Sequence, residues 1–482
     1  MIEIKDKKIT VVGLGRSGIG AANLLIELGA NVTVTDRKSE DELKDSIVKL
    51  NPSVGLHLGG HPEEIFLSSD MVIISPGVPI DILPIAQAND KGIPIIGEFE
   101  LAYQIINSNS KIQGPKFLAI TGTNGKSTTT ALLDFMMRKA GFRTILGGNI
   151  GKALTEEIYK VIKGNELLVT GNKNLELPTH DSSLDYIVAE VSSFQLDLME
   201  DFRPRVAAIL NITPDHLDRY HSLEEYCDAK ARIFENQRKE DFLILNADDP
   251  VLIKVTGEKF KVKSEKPQIL YFSRRSMVKG LYLKAGEIYC NIPVPSGHFS
   301  LLKVNEIKIK GVHNLENAMA ASAMALLADC PPESVKDSLR EFPGLEHRLE
   351  FVREIDGVRY FNDSKGTNVG AVIKSLGSFT EPIILIAGGR DKAGDFSQLR
   401  QLVKERIKAL VLIGEATEKI QKALGYLTTT FKAADLRDAV NMASSLAVEG
   451  DVVLLSPACA SFDMFIDFED RGRQFKKIVR EI

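Results

Sequence analysis

Residues Lys116–Met137 read KFLAITGTNGKSTTTALLDFMM. An apolar run leads into a turn with two glycines, a lysine and a hydroxyl, and a helical pattern follows. Strand, turn and helix in this order set backbone N–H groups and the positive end of a helix dipole in front of an anion. Lys126 adds a mobile positive charge, and Ser127 or Thr128 a hydroxyl able to sit on magnesium. The order of the parts predicts a phosphate loop made of Gly122, Thr123, Asn124, Gly125, Lys126, Ser127 and Thr128, rather than an ordinary glycine-rich helix start. Its spacing departs from the common pattern of glycine, four residues and Gly-Lys-Ser/Thr. Counting back from Gly125 puts Ile120 where that first glycine belongs, so the loop is a shortened one.

On its N-terminal side the chain alternates short apolar runs with helical patterns: ITVVGLG, SGIGAANLLIELGA, NVTVTD, DMVIISPGV and IPIIG. That alternation predicts parallel strands with crossover helices. Gly13-Leu14-Gly15-Arg16-Ser17-Gly18 follows the first strand, and Asp36 ends the next. The glycines admit a phosphate to the helix start and the acid can reach a ribose hydroxyl. The pattern points to a nucleotide without saying which one. Ser75-Pro76-Gly77 ends a later strand, where open α/β sheets bind ligands; a plain turn is the other reading.

On the C-terminal side FLAITG, DYIVAEV, AAILNIT and FLILNADD read as strands of a second α/β domain. Lys254 to Lys310, dense in β-branched residues and short turns, reads as an antiparallel meander within it. Glu190 ends a strand, where a carboxylate could reach Mg²⁺. Asp215, His216, Asp218 and Lys230 cluster after another strand, either as a metal site or as a polar loop and exposed helix; no common zinc spacing is met. After Pro343-Gly344 a third set of strands appears: VRYFND, PIILIAGG, ALVLIG and DVVLLSPA. Polar turns follow three of them, at Asn362–Lys365, Gly388–Lys392 and Ser456–Ser461, which suggests one shared cleft.

With 482 residues the chain is too long for one core, and length predicts about three domains. We place them at 1–104, 105–343 and 344–482, with the polar stretch Asn107–Pro115 as the first linker. The fold class expected is α/β: an N-terminal Rossmann-like domain, a central P-loop ATPase-like domain with a β-meander, and a C-terminal Rossmann-like domain. A formal charge of −5, from 60 basic and 65 acidic residues, favours neither nucleic acid nor membrane as a partner. Four dispersed cysteines, Cys227, Cys290, Cys330 and Cys459, indicate neither zinc nor disulfides. With no signal-peptide core at the N-terminus, a cytoplasmic location is expected.

Together these residues resemble the Mur ligase family of ATP-dependent amino-acid ligases, whose own phosphate loop the shortened TGTNGKST is similar to. NDSKGTN (Asn362–Asn368) and SPACASFDMFIDFEDRG (Ser456–Gly472) resemble the D-glutamate-adding branch. The resemblance implies ATP-driven addition of D-glutamate to UDP-N-acetylmuramoyl-L-alanine, a cytoplasmic step of peptidoglycan synthesis, by a monomer. It implies that Lys126 and Ser127 hold ATP phosphates and one of two Mg²⁺ ions, with Glu190 as a further metal ligand. His216 would lie near the metal and the reacting groups, and Lys230 would be carbamylated as a second-metal ligand. Asn314 and Asn317 would face adenine, with Arg348, Asp363 and Lys365 closing over the nucleotide. Gly15, Arg16, Ser17, Asp36, Arg37 and Ser75 would take the uracil and phosphates, and Asn149, Gln195 and His216 the muramoyl arm. Lys365, Thr367, Lys392, Ser461 and Phe468 would hold D-glutamate. Two departures stand out: Gly366, where the family usually has alanine, and a long connection over Lys163–Ser183, to which no role is assigned.

A dehydrogenase using Gly13–Gly18 for NAD, a non-catalytic nucleotide sensor, or a sibling ligase such as a folylpolyglutamate synthetase are the alternatives. The first leaves the phosphate loop and both C-terminal motifs unexplained.

Overall fold

The computed structural model describes residues 2–108, 114–163, 184–213, 219–262, 265–293, 297–391 and 394–482. Part of the expected linker, nearly all of the long connection after Lys163, and Asp215, His216, Asp218 and Lys392 lie outside them.

Three sheets carry the chain. The first is wholly parallel: β1 (Lys8–Val12), β2 (Asn31–Asp36), β3 (Gly55–Leu58), β4 (Met71–Ile74) and β5 (Ile95–Gly97), in the order β3-β2-β1-β4-β5. The order reverses between β1 and β4, so the Gly13 loop and Ser75 share the crevice at the switch point.

The second sheet comprises β6 (Lys116–Thr121), β7 (Thr144–Gly148), β8 (Tyr186–Glu190), β9 (Val206–Ile209), β10 (Phe242–Asn246), β11 (Gln268–Ser273), β12 (Gly280–Lys284), β13 (Glu287–Cys290) and β14 (Phe299–Lys303). Its order is β14-β13-β12-β11-β10-β9-β6-β8-β7, and only β12, β13 and β14 pair antiparallel. The meander is therefore shorter than the sequence suggested. Pro250–Val262 is a helix, and β11 extends the main sheet in parallel with β10. Leu252, Thr256 and Phe260 are buried at i, i+4 and i+8, a helical stripe that outweighs the local density of β-branched residues.

The first two sheets lie in one compact unit, Met1–Ile307 with His313–Glu341. One hydrophobic cluster runs through both, from Val11, Leu24 and Ile73 to Phe117, Ala119, Ile187 and Leu243. The helix Glu98–Ser108 sits in it. Phe99 and Tyr103 pack edge-on against Phe117 and Phe202 at centroid distances of 5.1 to 6.4 Å. Each such pair contributes ~0.5–1.5 kcal/mol beyond its area.

The second unit, Lys308–Val312 with Phe342–Ile482, holds β15 (Glu350–Ile355), β16 (Val358–Asn362), β17 (Ile383–Gly388), β18 (Ile407–Ile413), β19 (Thr429–Lys432) and β20 (Val452–Leu455). Their order is β15-β16-β20-β17-β18-β19, with β15 antiparallel at the edge. Helices cover both faces, giving two apolar clusters of its own. The edges β15 and β19 and the short β3 and β7 are strands that the apolar-run pattern did not reveal. Their side chains are half-exposed or few, so little hydrophobic signal marks them.

Candidate active site

The helix Lys126–Lys139 begins at Gly125, whose φ of +84° places it in the left-handed region and which brings no side-chain cap of its own. A Cβ at Gly125 would meet Asn317 Oδ1 at 2.2 Å, so the turn lies directly against Asn317. Asn317 is buried and donates through Nδ2 to Asn314 Oδ1 at 3.3 Å. The Lys126 ammonium folds back to donate to Gly122 O and Thr123 O at 2.9 and 3.0 Å. A helix start led by glycine, with a lysine over it, is an anion cradle.

Lys230 is 1% exposed, lies over the Tyr226 ring at 4.4 Å, and also donates to Gly122 O, at 3.1 Å. Two lysine nitrogens thus approach one carbonyl oxygen. Glu190, at the end of β8, is 2% exposed; its Oε1 accepts from Asn149 Nδ2 at 3.0 Å, while Oε2 is buried without a hydrogen-bond partner. Thr121 Oγ1 and Thr129 Oγ1 are orphaned in the same way. Buried polar atoms are ordinarily paired, so unpaired oxygens beside a phosphate cradle mark a place made for a ligand. Oxygen donors such as Glu190 and the buried Ser127 hydroxyl suit a hard cation such as Mg²⁺.

At the switch point of the first sheet, both Asp36 oxygens accept backbone N–H groups, from Leu14 at 2.7 Å and Lys38 at 2.9 Å. Ser75 Oγ donates to Gly13 O at 3.1 Å. Asp36 and Ser75 therefore shape the glycine loop as well as lining it, while Arg37 is exposed. Exposed Arg16 reaches Gly151 O at 3.3 Å, tying this loop to the turn that carries Asn149. Ser17 and Gly15 stand at the helix start beside it. Gln195 closes a capping box: its Oε1 accepts from Ser192 N and Oγ, both at 3.0 Å.

In the second unit the three polar turns follow β16, β17 and β20, which are neighbours, and they do meet. Ala458 N donates to Gly366 O at 2.8 Å, and Arg390 and Ala460 exchange backbone hydrogen bonds at 3.0 Å. Asp363 is 3% exposed; its Oδ2 accepts from Ser375 and Ser456 hydroxyls, each at 2.6 Å, and its Oδ1 from Leu349 N at 3.3 Å. Burial raises its carboxyl to about 6, against the pull of those hydroxyls and of Arg348. Lys365 Nζ lies 5.5 Å from the Phe468 ring centroid. Thr367 follows in the same turn, and Ser461 is buried. Glu346, His347 and Glu350 could gather a metal, but Lys476 donates to both acids and Asn362 occupies His347 Nδ1, so that group is already satisfied.

Two residues escaped the sequence reading. Asn211, after β9, exchanges hydrogen bonds with Asn124: its Oδ1 accepts from Asn124 N at 2.9 Å and its Nδ2 donates to Asn124 O at 3.0 Å. Arg471 is 1% exposed and bonds Ser364 Oγ and O, Cys459 O and Ala460 O, binding two of the three turns together. Burial lowers its guanidinium to about 10. Both lie in stretches quoted for their motifs, yet an amide after a strand and an arginine in a helix carry no chemical signature of their own.

Family models match along the chain: the Mur ligase MurD-like N-terminal domain over residues 7–97, the Mur ligase middle domain over 120–325, and the Mur ligase glutamate ligase domain over 347–459. Relatives named UDP-N-acetylmuramoylalanine--D-glutamate ligase include one from Geotalea daltonii, 45% identical over 100% of this chain and 99% of its own length. Another, from Caldanaerobacter subterraneus subsp. tengcongensis, is 42% identical with both chains wholly covered. Among solved structures, UDP-N-acetylmuramate-alanine ligase MurC from Thermotoga maritima is similar in fold, with a TM-score of 0.58 at 19% identity, over 98% of this chain and 99% of that one. E. coli FolC in complex with DHPP and ADP gives 0.56 at 16% identity, over 79% and 92%.

Proposed function

The chain belongs to the Mur ligase family, and from that membership we propose that it is an ATP-dependent ligase joining D-glutamate to UDP-N-acetylmuramoyl-L-alanine in peptidoglycan synthesis. The observation that carries this reading is the end-to-end likeness, at 41 to 45% identity, to relatives named for that activity.

A carboxylate acylates nothing at neutral pH, because its leaving group would be oxide. In the proposed reaction the L-alanyl carboxylate attacks the γ-phosphorus of ATP, the bond to the β,γ-bridging oxygen breaks, and ADP leaves. The D-glutamate amine then attacks the acyl-phosphate carbonyl, phosphate departs, and the nitrogen gives up its extra proton as the amide forms. Lys126 and the first turn of its helix offset the charge on the phosphate oxygens. Mg²⁺ would be held by Ser127 and Glu190, and when bound it neutralises phosphate charge.

Residues 1–104 are assigned to the UDP-substrate, 105–343 to ATP, and 344–482 to ATP as well and to the amino acid. Asp36, Arg37, Ser75, Arg16, Asn149 and Gln195 serve the first, Asn314, Asn317, Arg348 and Asp363 the nucleotide. Lys365, Thr367, Lys392, Ser461 and Phe468 serve D-glutamate, two cations for a dianionic amino acid. His216 is assigned to the neighbourhood of the metal and the reacting groups, and carbamylated Lys230 to a second Mg²⁺. A monomer working in the cytoplasm is proposed; no helix among the described residues is long and apolar enough to cross a membrane.

Lys230 is proposed to be a carbamate: its neutral amine adds to CO₂, and one proton leaves to solvent. Two ammonium ions on Gly122 O repel, whereas a carbamate beside Lys126 attracts. Labelled bicarbonate should give a carbamate carbon resonance that is lost in Lys230→Arg; no resonance in active enzyme would end the idea. The function itself is tested by phosphate release from ATP with UDP-N-acetylmuramoyl-L-alanine and a panel of amino acids. Turnover should require D-glutamate, and turnover with another amino acid would redirect the assignment.

A further inference from the structure

The shortened phosphate loop lies against the segment that follows β9. The chain leaves β6 at Thr121, and by Gly125 the helix has begun, so the tip is Gly122, Thr123 and Asn124. Besides the lysine contacts to Gly122 O and Thr123 O, the segment after β9 holds that tip. Thr123 N donates to Asn211 O at 3.0 Å, Asn124 N to Asn211 Oδ1 at 2.9 Å, and Asn211 Nδ2 to Asn124 O at 3.0 Å. Thr213 adds a second reciprocal pair: its N–H donates to Thr123 Oγ1, which donates to Thr213 O, both at 3.1 Å. A Cβ at Gly122 would meet Leu210 Cβ at 3.1 Å and Asn211 N at 3.4 Å, so the two segments lie as close as paired strands.

From this geometry we propose that Asn211 is a positioning residue for ATP: its side-chain amide imitates a strand neighbour and fixes the tip of the loop in the form that binds phosphate. The inference rests on the ligase reading above for its substrate, and on the structure for the clamp. An amide is the one small side chain that fits, because it accepts from Asn124 N and donates to Asn124 O at the same time. A carboxylate keeps the acceptor but sets oxygen against oxygen at Asn124 O and adds a negative charge beside the phosphates. An alanine removes both bonds and leaves a backbone donor and acceptor unmatched.

Asn211→Asp and Asn211→Ala are compared with the unaltered protein for binding of Mg·ATP and Mg·ADP, for KM of each of the three substrates, and for Tm. Asn211→Asp should raise KM for ATP by roughly ten-fold or more, the scale of about one hydrogen bond lost. KM for D-glutamate and for the UDP-substrate should stay within about two-fold. Asn211→Ala should weaken nucleotide binding less than the aspartate does, since it adds no charge. Equal changes in all three KM values with a lowered Tm would mean a merely structural residue and overturn the proposal, as would unchanged nucleotide affinity in Asn211→Asp. Absence of D-glutamate-dependent turnover in the unaltered protein would instead defeat the ligase reading, while nucleotide binding would still judge the clamp.

Discussion

Gly366 has a hydrogen where an alanine methyl would stand 2.6 Å from Asp363 Oδ2, 2.8 Å from Ser456 Oγ and 3.0 Å from Asp363 O. Those first two atoms are bonded to each other at 2.6 Å and buried, so neither can yield without breaking the pair. The glycine that stands in NDSKGTN where the family usually has alanine is thus the residue this packing favours. Gly366→Ala should cost ~1–3 kcal/mol as an overpacking change and displace the Asp363 carboxylate, and thermal unfolding with ATP titration would register both. An unchanged Tm and ATP affinity would show that the turn relaxes around the methyl. Arg471 bears on the same turn from the other side. Arg471→Met keeps the volume but leaves Ser364 O and Cys459 O without their donor. D-glutamate KM should rise sharply, and Arg471→Lys should recover only part, because an ammonium cannot span the four acceptors held by the fork. Recovery by lysine equal to wild type would make the charge, rather than the fork, the feature that matters.

The helix Glu98–Ser108 shows how an element can be plain in sequence while its placement is not. A helical period is plain in EFELAYQII, but nothing in that stretch says which neighbours the helix packs on. What decides it is two buried acids that point to different neighbours. Glu98 Oε1 accepts from Thr155 N at 2.8 Å and Thr155 Oγ1 at 2.7 Å, and Glu100 Oε1 accepts from Gln104 Nε2 at 2.8 Å and Asp201 N at 3.0 Å. Both Oε2 atoms are buried without partners, and burial raises both carboxyls above the ordinary range. No propensity scale foretells a buried glutamate, because its partners come from distant segments. The strands that bear the site were legible for the opposite reason: β6, β8, β17 and β20 are apolar runs covered on both faces, ending in polar turns. Asn211 and Arg471 acquire meaning only from contacts made after folding. The raised carboxyls also carry a sign. With the folded pKa above the unfolded one, the contribution of Glu98 is fully favourable below the ordinary carboxylate range and is lost as pH rises through the folded value. Glu98→Gln keeps an acceptor for Thr155 and cannot ionise. Its Tm relative to wild type should therefore climb as pH rises above the ordinary carboxylate range; a constant difference would mean that Glu98 titrates alike in the folded and unfolded chains.

At the scale of the whole molecule, sequence motifs divide the chain into three while the packing divides it into two. Each sheet has its own motif, and the three family models follow the same partition. Cores follow another rule: a sheet is independent only if its own segment covers it. The first sheet is not, because the cluster that buries Val11, Leu24 and Ile73 continues through Phe117, Leu154 and Ile187 of later segments. The third sheet is, because its two faces are closed by helices from its own segment, with Val372, Leu385 and Ile420 on one side and Tyr360, Val440 and Phe475 on the other. A fragment of residues 1–104 would leave part of that shared core in water. At ~25 cal/mol per Å² of apolar surface, the exposure of a few such side chains outweighs the marginal stability of a domain this small. The fragment 342–482, by contrast, keeps both of its clusters. Circular dichroism of the two fragments should show a cooperative thermal transition for 342–482 and none for 1–104, and 1–341 should melt as one unit. A cooperative melt of 1–104 alone would show that the shared core is a contact between two self-sufficient domains, and would restore three as the number of folding units.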